Sequence, residues 1–166
     1  MPADEGASGF LGSERQIDLV RQFLRDFRRP GTLAVVDPWM GDFGRVYATC
    51  TPAMCRRMAD LTAEADVITP NLTEASILLG EEYPSAPLRQ FEAKRLVARL
   101  SELGPRLVTV TGVEMADGTI SNLGYDRDRG DYWRVDCNYV PASYPGTGDI
   151  FASVMVGSLL NGDSLP

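Results

Sequence analysis

Three short runs of apolar and β-branched residues constrain this 166-residue chain more than any other feature: Thr32–Val36, Val67–Thr69 and Leu107–Thr111. A strand with one wet face alternates apolar and polar residues. A continuous apolar run needs cover on both faces, which is the pattern of a parallel sheet sandwiched by helices. Helical patterns separate the runs, so the expected fold class is α/β, a mostly parallel sheet flanked by helices. The runs end at or beside Asp37, Thr69 and Thr111. Ligands of open parallel sheets sit beyond the carboxyl ends of the strands. Those three residues are therefore the first candidate site positions.

The helices are marked by their caps. Ser13 with Gln16 three residues on reads as a capping box, and Ile17, Val20, Leu24 and Phe27 then share one helical face up to Pro30-Gly31. Thr51-Pro52 places an N-cap before proline at the first helical position, ahead of the stripe Met54, Met58, Leu61. Asn71 can cap a short helix through Leu79 that Gly80 ends. Leu88, Phe91, Leu96, Leu100 and Leu103 mark another helix, less regular in spacing. Residues 38–50 read as a glycine-containing loop, and residues 1–9 as a frayed lead-in. From Thr119 the period changes. Thr119–Tyr125 and Tyr132–Tyr139, separated by the charged turn Asp126–Asp131, predict an antiparallel hairpin at the sheet edge. A loop with Pro141 and Pro145 leads to Gly146-Thr147-Gly148-Asp149 and the apolar helix Ile150–Leu160.

Composition removes whole classes of chemistry. The chain has no histidine, which excludes Ser-His-Asp and Cys-His nucleophiles and His-ligated zinc. Sixteen basic against 23 acidic residues give a net charge of −7, which argues against a nucleic-acid or anionic-lipid partner. No apolar run approaches the ~18 residues of a membrane span, and the polar start Met1–Ser8 has no signal-peptide core. Cys50, Cys55 and Cys137 lack metal-type spacing, so reduced thiols in a cytoplasmic protein are expected. There is no P-loop motif, and the single lysine, Lys94, lies in a helical pattern.

Three local patterns remain that can carry chemistry. Gly146-Thr147-Gly148-Asp149 opens a helix, where unpaired amides and small residues make an anion hole. Asp149 beside it can accept a proton from an attacking hydroxyl; the bland alternative is an acid that favours the helix dipole. Asn71 and Glu74 share a helical face and can hold Mg²⁺ directly or through water, or they are simply an N-cap and its N3 partner. Asp37-Pro38-Trp39-Met40-Gly41-Asp42 sets two acids and a glycine after a buried strand, suited to a metal–phosphate site or to an ordinary turn.

The order of these patterns resembles the ribokinase-like superfamily, and within it the pyridoxal/pyridoxine (vitamin B6) kinases. The resemblance rests on Gly9-Phe10-Leu11-Gly12-Ser13, on Val35-Val36-Asp37-Pro38-Trp39-Met40-Gly41-Asp42 with Gly44-Arg45-Val46-Tyr47, and on Ala65 to Glu74. Gly146-Thr147-Gly148-Asp149-Ile150-Phe151-Ala152-Ser153 is similar to the superfamily's catalytic signature. Trp39 departs from the smaller aliphatic residue usual there.

The resemblance implies ATP-dependent phosphorylation of the 5′-hydroxymethyl group of pyridoxal, pyridoxine or pyridoxamine. It makes Asp149 the general base and Gly146, Thr147 and Gly148 the anion hole. Asn71 and Glu74 would organise Mg²⁺. Asp37, Asp42, Tyr47, Thr69, Thr111 and Gly112 would line the ATP site. A homodimer is implied for the full-length form. Relatives carry a segment before the position of Gly9 that supplies early strands and much of the ring pocket. The expectation is thus that residues 10–166 are the ATP-side portion of one kinase domain, with an open sheet edge near Thr32–Val36. The competing expectations are a hydroxymethylpyrimidine kinase and a non-catalytic nucleotide-binding module.

Overall fold

Every apolar run becomes a strand of one sheet, and the alternation of its side chains decides which helix covers it. The structure, a computed structural model, describes residues 5–138 and 146–164. In chain order the elements are β1 (Glu5–Ser8), α1 (Glu14–Phe27), β2 (Leu33–Val36), β3 (Gly41–Asp42), β4 (Arg45–Val46), α2 (Pro52–Ala63) and β5 (Val67–Ile68). They continue with α3 (Leu72–Leu79), α4 (Gln90–Glu102), β6 (Leu107–Glu114), β7 (Ile120–Asp126), β8 (Asp131–Cys137) and α5 (Thr147–Leu160). The main sheet has the order β1-β2-β5-β6-β7-β8. Its first four strands are parallel, and β7 and β8 are antiparallel to their neighbours.

Successive side chains on a strand point to opposite faces, and the two cores follow from that. Ala34, Val36, Ile68, Val108 and Val110 face α1–α4, where Ile17, Met58, Leu61, Ala75, Val97 and Leu100 meet them. Val35, Val67 and Leu107 face the other way, onto Met155 and Val156 of α5. Both faces of β2, β5 and β6 are buried, which is why these runs carry no polar alternation.

Four expectations need correction. Residues 5–8, read as part of a lead-in, form β1, paired in register with Leu33–Val36. Among the described residues the edge on this side is therefore β1 rather than the Thr32–Val36 strand. Four residues are too few for a periodic signal, and neighbouring backbone groups recruit them into the ladder. Within residues 38–50, β3 and β4 form a small antiparallel pair of their own. Each is two residues long, below the reach of any pattern. The third run continues past Thr111 to Glu114 across a register shift between Val110 and Val113, where Gly112 takes φ +65°. Helical faces also differ in detail. Phe27 is 60% exposed, stacked on Phe23, and α4 buries Ala93, Val97 and Leu100 while Phe91 stays exposed beneath the Arg89 guanidinium.

The caps behave as their residue types require. The Ser13 hydroxyl accepts from the Gln16 amide at 3.3 Å, but the Gln16 side chain accepts from Gly12 at 2.7 Å instead of closing the box on Ser13. Thr51 accepts from Met54. Gly80 ends α3 in the left-handed region, φ +66°, at no Cβ cost. Tyr139, Pro141 and Pro145 lie outside the described residues. No helix among those described is long and apolar enough to cross a membrane.

Candidate functional site

The carboxyl ends of β2 and β5, the bulge of β6 and the start of α5 converge on a cleft of about 600 Å³. All twelve residues singled out by sequence line it: Asp37, Asp42, Tyr47, Thr69, Asn71, Glu74, Thr111, Gly112, Gly146, Thr147, Gly148 and Asp149. They come from well-separated stretches of chain, and the packing of the sheet, the β3–β4 pair and α5 puts them together.

Asp37 follows β2 directly. Its Oδ1 accepts from the Thr69 hydroxyl at 3.0 Å, and its Oδ2 lies 3.8 Å from where a Cβ on Gly148 would stand. Asp37 therefore sits against the first turn of α5. Burial raises its pKa to about 6, against the lowering effect of the Thr69 hydroxyl and with the charge of Asp149 adding to the rise. Gly146 caps α5 at φ +85°, a conformation open to glycine. The amides that follow belong to a first helical turn, whose N–H groups have no intrahelical acceptor. Asp149 is exposed on that turn. A Cβ on Gly9 would stand 3.4 Å from its Oδ1, so glycine there leaves room beside the carboxylate.

Asn71 and Glu74 form a complete capping box. The Asn71 Oδ1 accepts from the Glu74 amide at 3.0 Å, and the Glu74 Oε2 accepts from the Asn71 amide at 2.9 Å. The remaining Glu74 oxygen accepts from Met40 at 3.0 Å, and the Asn71 Nδ2 donates to the Gly41 carbonyl at 2.8 Å. The pair thus fastens the segment after β2 to the start of α3. Burial lifts Glu74 to about 8 even though backbone donors favour its anion. The β6 bulge brings Thr111 beside Asn71: the Thr111 amide donates to the Pro70 carbonyl and the Gly112 amide to Asn122 Oδ1. Bulges re-aim backbone in this way next to sites.

Pattern reading missed Phe43, Thr73, Tyr83, Asn122 and Phe151, which also line the cleft. Phe43, at φ +49°, is the tip of the β3–β4 turn, and the Thr73 hydroxyl accepts from the Gly44 amide at 2.8 Å. Thr73 and Phe151 lie in stretches that carry the resemblance and Phe43 sits beside Gly44 in a turn, whereas Tyr83 and Asn122 leave no local signal in sequence. Trp39 stacks on Tyr47 with centroids 4.2 Å apart and meets Phe10 edge-on at 4.7 Å. A second cavity, about 380 Å³, opens on the other side of Asp37 and Asp149 and is walled by Ser8, Gly9 and α5.

The cleft's charges decide what it can take. Among the described residues Asp37, Asp42, Glu74 and Asp149 line it, and no Lys or Arg does. A polyanion on the α5 amides would meet these acidic side chains unless a cation came with it. Mg²⁺ fits these residues: they offer oxygen only, and the ion typically uses one or two carboxylates, several waters and ligand phosphates. Among the described residues no three His, Cys, Asp or Glu side chains form a metal cage on their own.

A mostly parallel sheet with helices on both faces and a glycine-rich helix start beyond its strand ends define a ribokinase-like fold. The chain belongs to the phosphomethylpyrimidine kinase family, whose profile matches residues 2–166. The pyridoxal kinase of Deinococcus radiodurans is 30% identical over 166 residues, covering 96% of this chain and 56% of that protein. A Bacteroides thetaiotaomicron protein, provisionally described as a phosphomethylpyrimidine kinase and solved with pyridoxal, is 47% identical. Its TM-score is 0.92, over 98% of this chain and 57% of that one. The Leishmania donovani pyridoxal kinase, solved with ADP and ginkgotoxin, is 27% identical with a TM-score of 0.80, over 98% of this chain and 57% of that one. The chain spans about half the length of the curated relatives it matches.

Proposed function

We propose that this chain carries the nucleotide and phosphoryl-transfer site of a vitamin B6 kinase, which moves the ATP γ-phosphoryl group to the 5′-hydroxymethyl group of pyridoxal, pyridoxine or pyridoxamine. One observation carries the reading: an anion hole at the start of α5 and the Asp149 carboxylate open onto one cleft whose other acids demand a cation-bound polyanion.

Phosphoryl transfer needs positioning and charge stabilisation more than covalent chemistry. The amides around Gly146, Thr147 and Gly148 face the charge that builds on the transferring group. Asp149 takes the proton of the attacking hydroxyl. Mg²⁺ supplies charge neutralisation on the phosphates when bound. Asn71 and Glu74, whose oxygens already serve backbone amides, would hold it through intervening water. Asp42, Tyr47, Thr69, Thr111 and Gly112 shape the ATP pocket. The acceptor alcohol belongs on the side of Asp149 where the second cavity lies. The Bacteroides relative bound to pyridoxal favours a B6 vitamer over the pyrimidine of the family's name.

The test measures product. Purified protein should bind Mg-ATP, any turnover should phosphorylate pyridoxal in preference to hydroxymethylpyrimidine, and nucleotide binding should weaken when Mg²⁺ is chelated. Preference for the pyrimidine would reassign the substrate. Mg-ATP binding with neither product formed would make the chain a nucleotide-binding module.

A further inference from the structure

Two of the three thiols are paired in space and have no part in the chemistry above. Cys50 is buried at the end of the segment that follows β4, and its Sγ lies 3.3 Å from the Sγ of Cys55, which is partly exposed on α2. Cys137 is exposed on β8. We propose that Cys50 and Cys55 are a dithiol–disulfide pair that a peroxide closes, and that closure acts on the cleft through Tyr47. The first half stands on the thiol geometry alone; its consequence for nucleotide rests on the reading of the cleft given above.

A disulfide holds its sulfurs about 2.05 Å apart, so the pair must close by about 1.3 Å. Cys55 is fixed in α2, where its amide donates to the Thr51 carbonyl at 3.0 Å and the Thr51 hydroxyl caps the helix. The movement therefore falls on Cys50. The Cys50 amide donates to the Tyr47 carbonyl at 2.9 Å, and the Tyr47 amide to the Met40 carbonyl at 2.9 Å. The Met40 amide in turn donates to Glu74 Oε1. A pull on Cys50 thus loads a chain of hydrogen bonds that ends in the cleft floor, and it displaces the ring stacked on Trp39.

The electrons balance with a peroxide as oxidant. The Cys55 sulfur, the accessible one, attacks the O–O bond and becomes a sulfenic acid. The displaced oxygen leaves as water with the thiol's proton. Cys50 then attacks the sulfenic sulfur, and its proton leaves with the hydroxyl as a second water. Two thiols lose two electrons and two protons, and one peroxide becomes two waters. Burial holds the Cys50 thiol protonated, its pKa pushed up to about 12, consistent with Cys55 acting first.

Trypsin leaves both cysteines in one peptide, Val46–Arg56. In protein carrying Cys137→Ser, hydrogen peroxide followed by alkylation should give that peptide unalkylated and about 2 Da lighter than the dithiol. Dithiothreitol should reverse it, and in Cys50→Ser the Cys55 sulfenic acid should be trapped by dimedone. Two alkylated cysteines after peroxide would overturn the pair. Closure should also change the near-ultraviolet circular dichroism of the Tyr47–Trp39 stack. It should weaken Mg-ATP binding at least about 5-fold, the lower end of ordinary coupling. An unchanged spectrum would overturn the coupling. A reduced protein that binds no Mg-ATP would instead sink the nucleotide reading of the cleft, leaving the mass and the spectrum to decide the pair and its coupling.

Discussion

Asp149 and Glu74 are both acids at helix starts, and their surroundings give them opposite work. Asp149 is exposed on the first turn of α5, with glycine leaving room at its oxygen. Asp149→Asn should leave Mg-ATP affinity near wild type in titration calorimetry while lowering kcat by at least ~10²-fold, because proton acceptance is lost. A near-normal kcat would remove it as the base. Glu74 is 4% exposed and holds two backbone amides. Its pKa is raised from an ordinary 4.5 to about 8, so the folded state binds its proton more tightly than the unfolded chain. Stability from this group is full below pH 4.5 and is lost as pH rises toward 8. Asp37, raised to about 6 by burial, adds a similar loss that ends nearer pH 6. Between pH 6 and 8 the slope belongs mainly to Glu74. Glu74→Gln should flatten thermal melts across that range. At pH 5 it should also cost about 1–3 kcal/mol, since an amide offers one acceptor to two buried donors. Melts with an unchanged slope would show that Glu74 ionises freely.

The hairpin β7–β8 shows how one element depends on a residue with no side chain. Gly124 pairs across the strands with Trp133, and a Cβ on it would lie 1.8 Å from the indole ring. The ring occupies the space a side chain would need. Gly124→Ala should therefore destabilise the protein by about 1–3 kcal/mol through overpacking. Gly124→Ala combined with Trp133→Leu should recover most of that loss. Denaturant melts of the single and double variants check it, and simple additivity of the two effects would show that the contact is not what matters. The hairpin itself was readable from alternation around a charged turn. The glycine's role was not, because cross-strand register depends on which turn closes the hairpin. The two-residue strands β3 and β4 were illegible for a different reason: they are too short to show a period of two.

At the scale of the whole molecule, α5 is apolar on more than one side. Met155 and Val156 meet the sheet, but Ile150 and Val154 are 66% and 67% exposed, and Leu160 is also exposed. Among the described residues β1 lies at one edge of the sheet, with no strand paired to its outer side. Such surface drives association. The protein should sediment as concentration-dependent oligomers, and Ile150→Lys with Val154→Lys should shift it toward monomer. A wild-type chain that stays monomeric at high concentration would mean that this face is not adhesive.

The sequence by itself determined the class of fold. Continuous apolar runs can be satisfied only by cover on both faces, and the caps at Thr51, Asn71 and Gly80 act through local hydrogen bonds and backbone angles that need no tertiary context. It also brought out ten of the cleft residues, from strand ends, a glycine-rich helix start and paired acids, and the resemblance to the B6 kinases added Tyr47 and Gly112. Tertiary structure alone decided how those residues are used. Asn71 and Glu74 read in sequence as a metal pair or, more readily, as a capping box. Only the approach of Met40 and Gly41 from thirty residues away shows every one of their polar atoms engaged with the backbone. Which face a side chain meets, and which distant amide it finds there, is fixed by register and packing, and neither is written in local spacing.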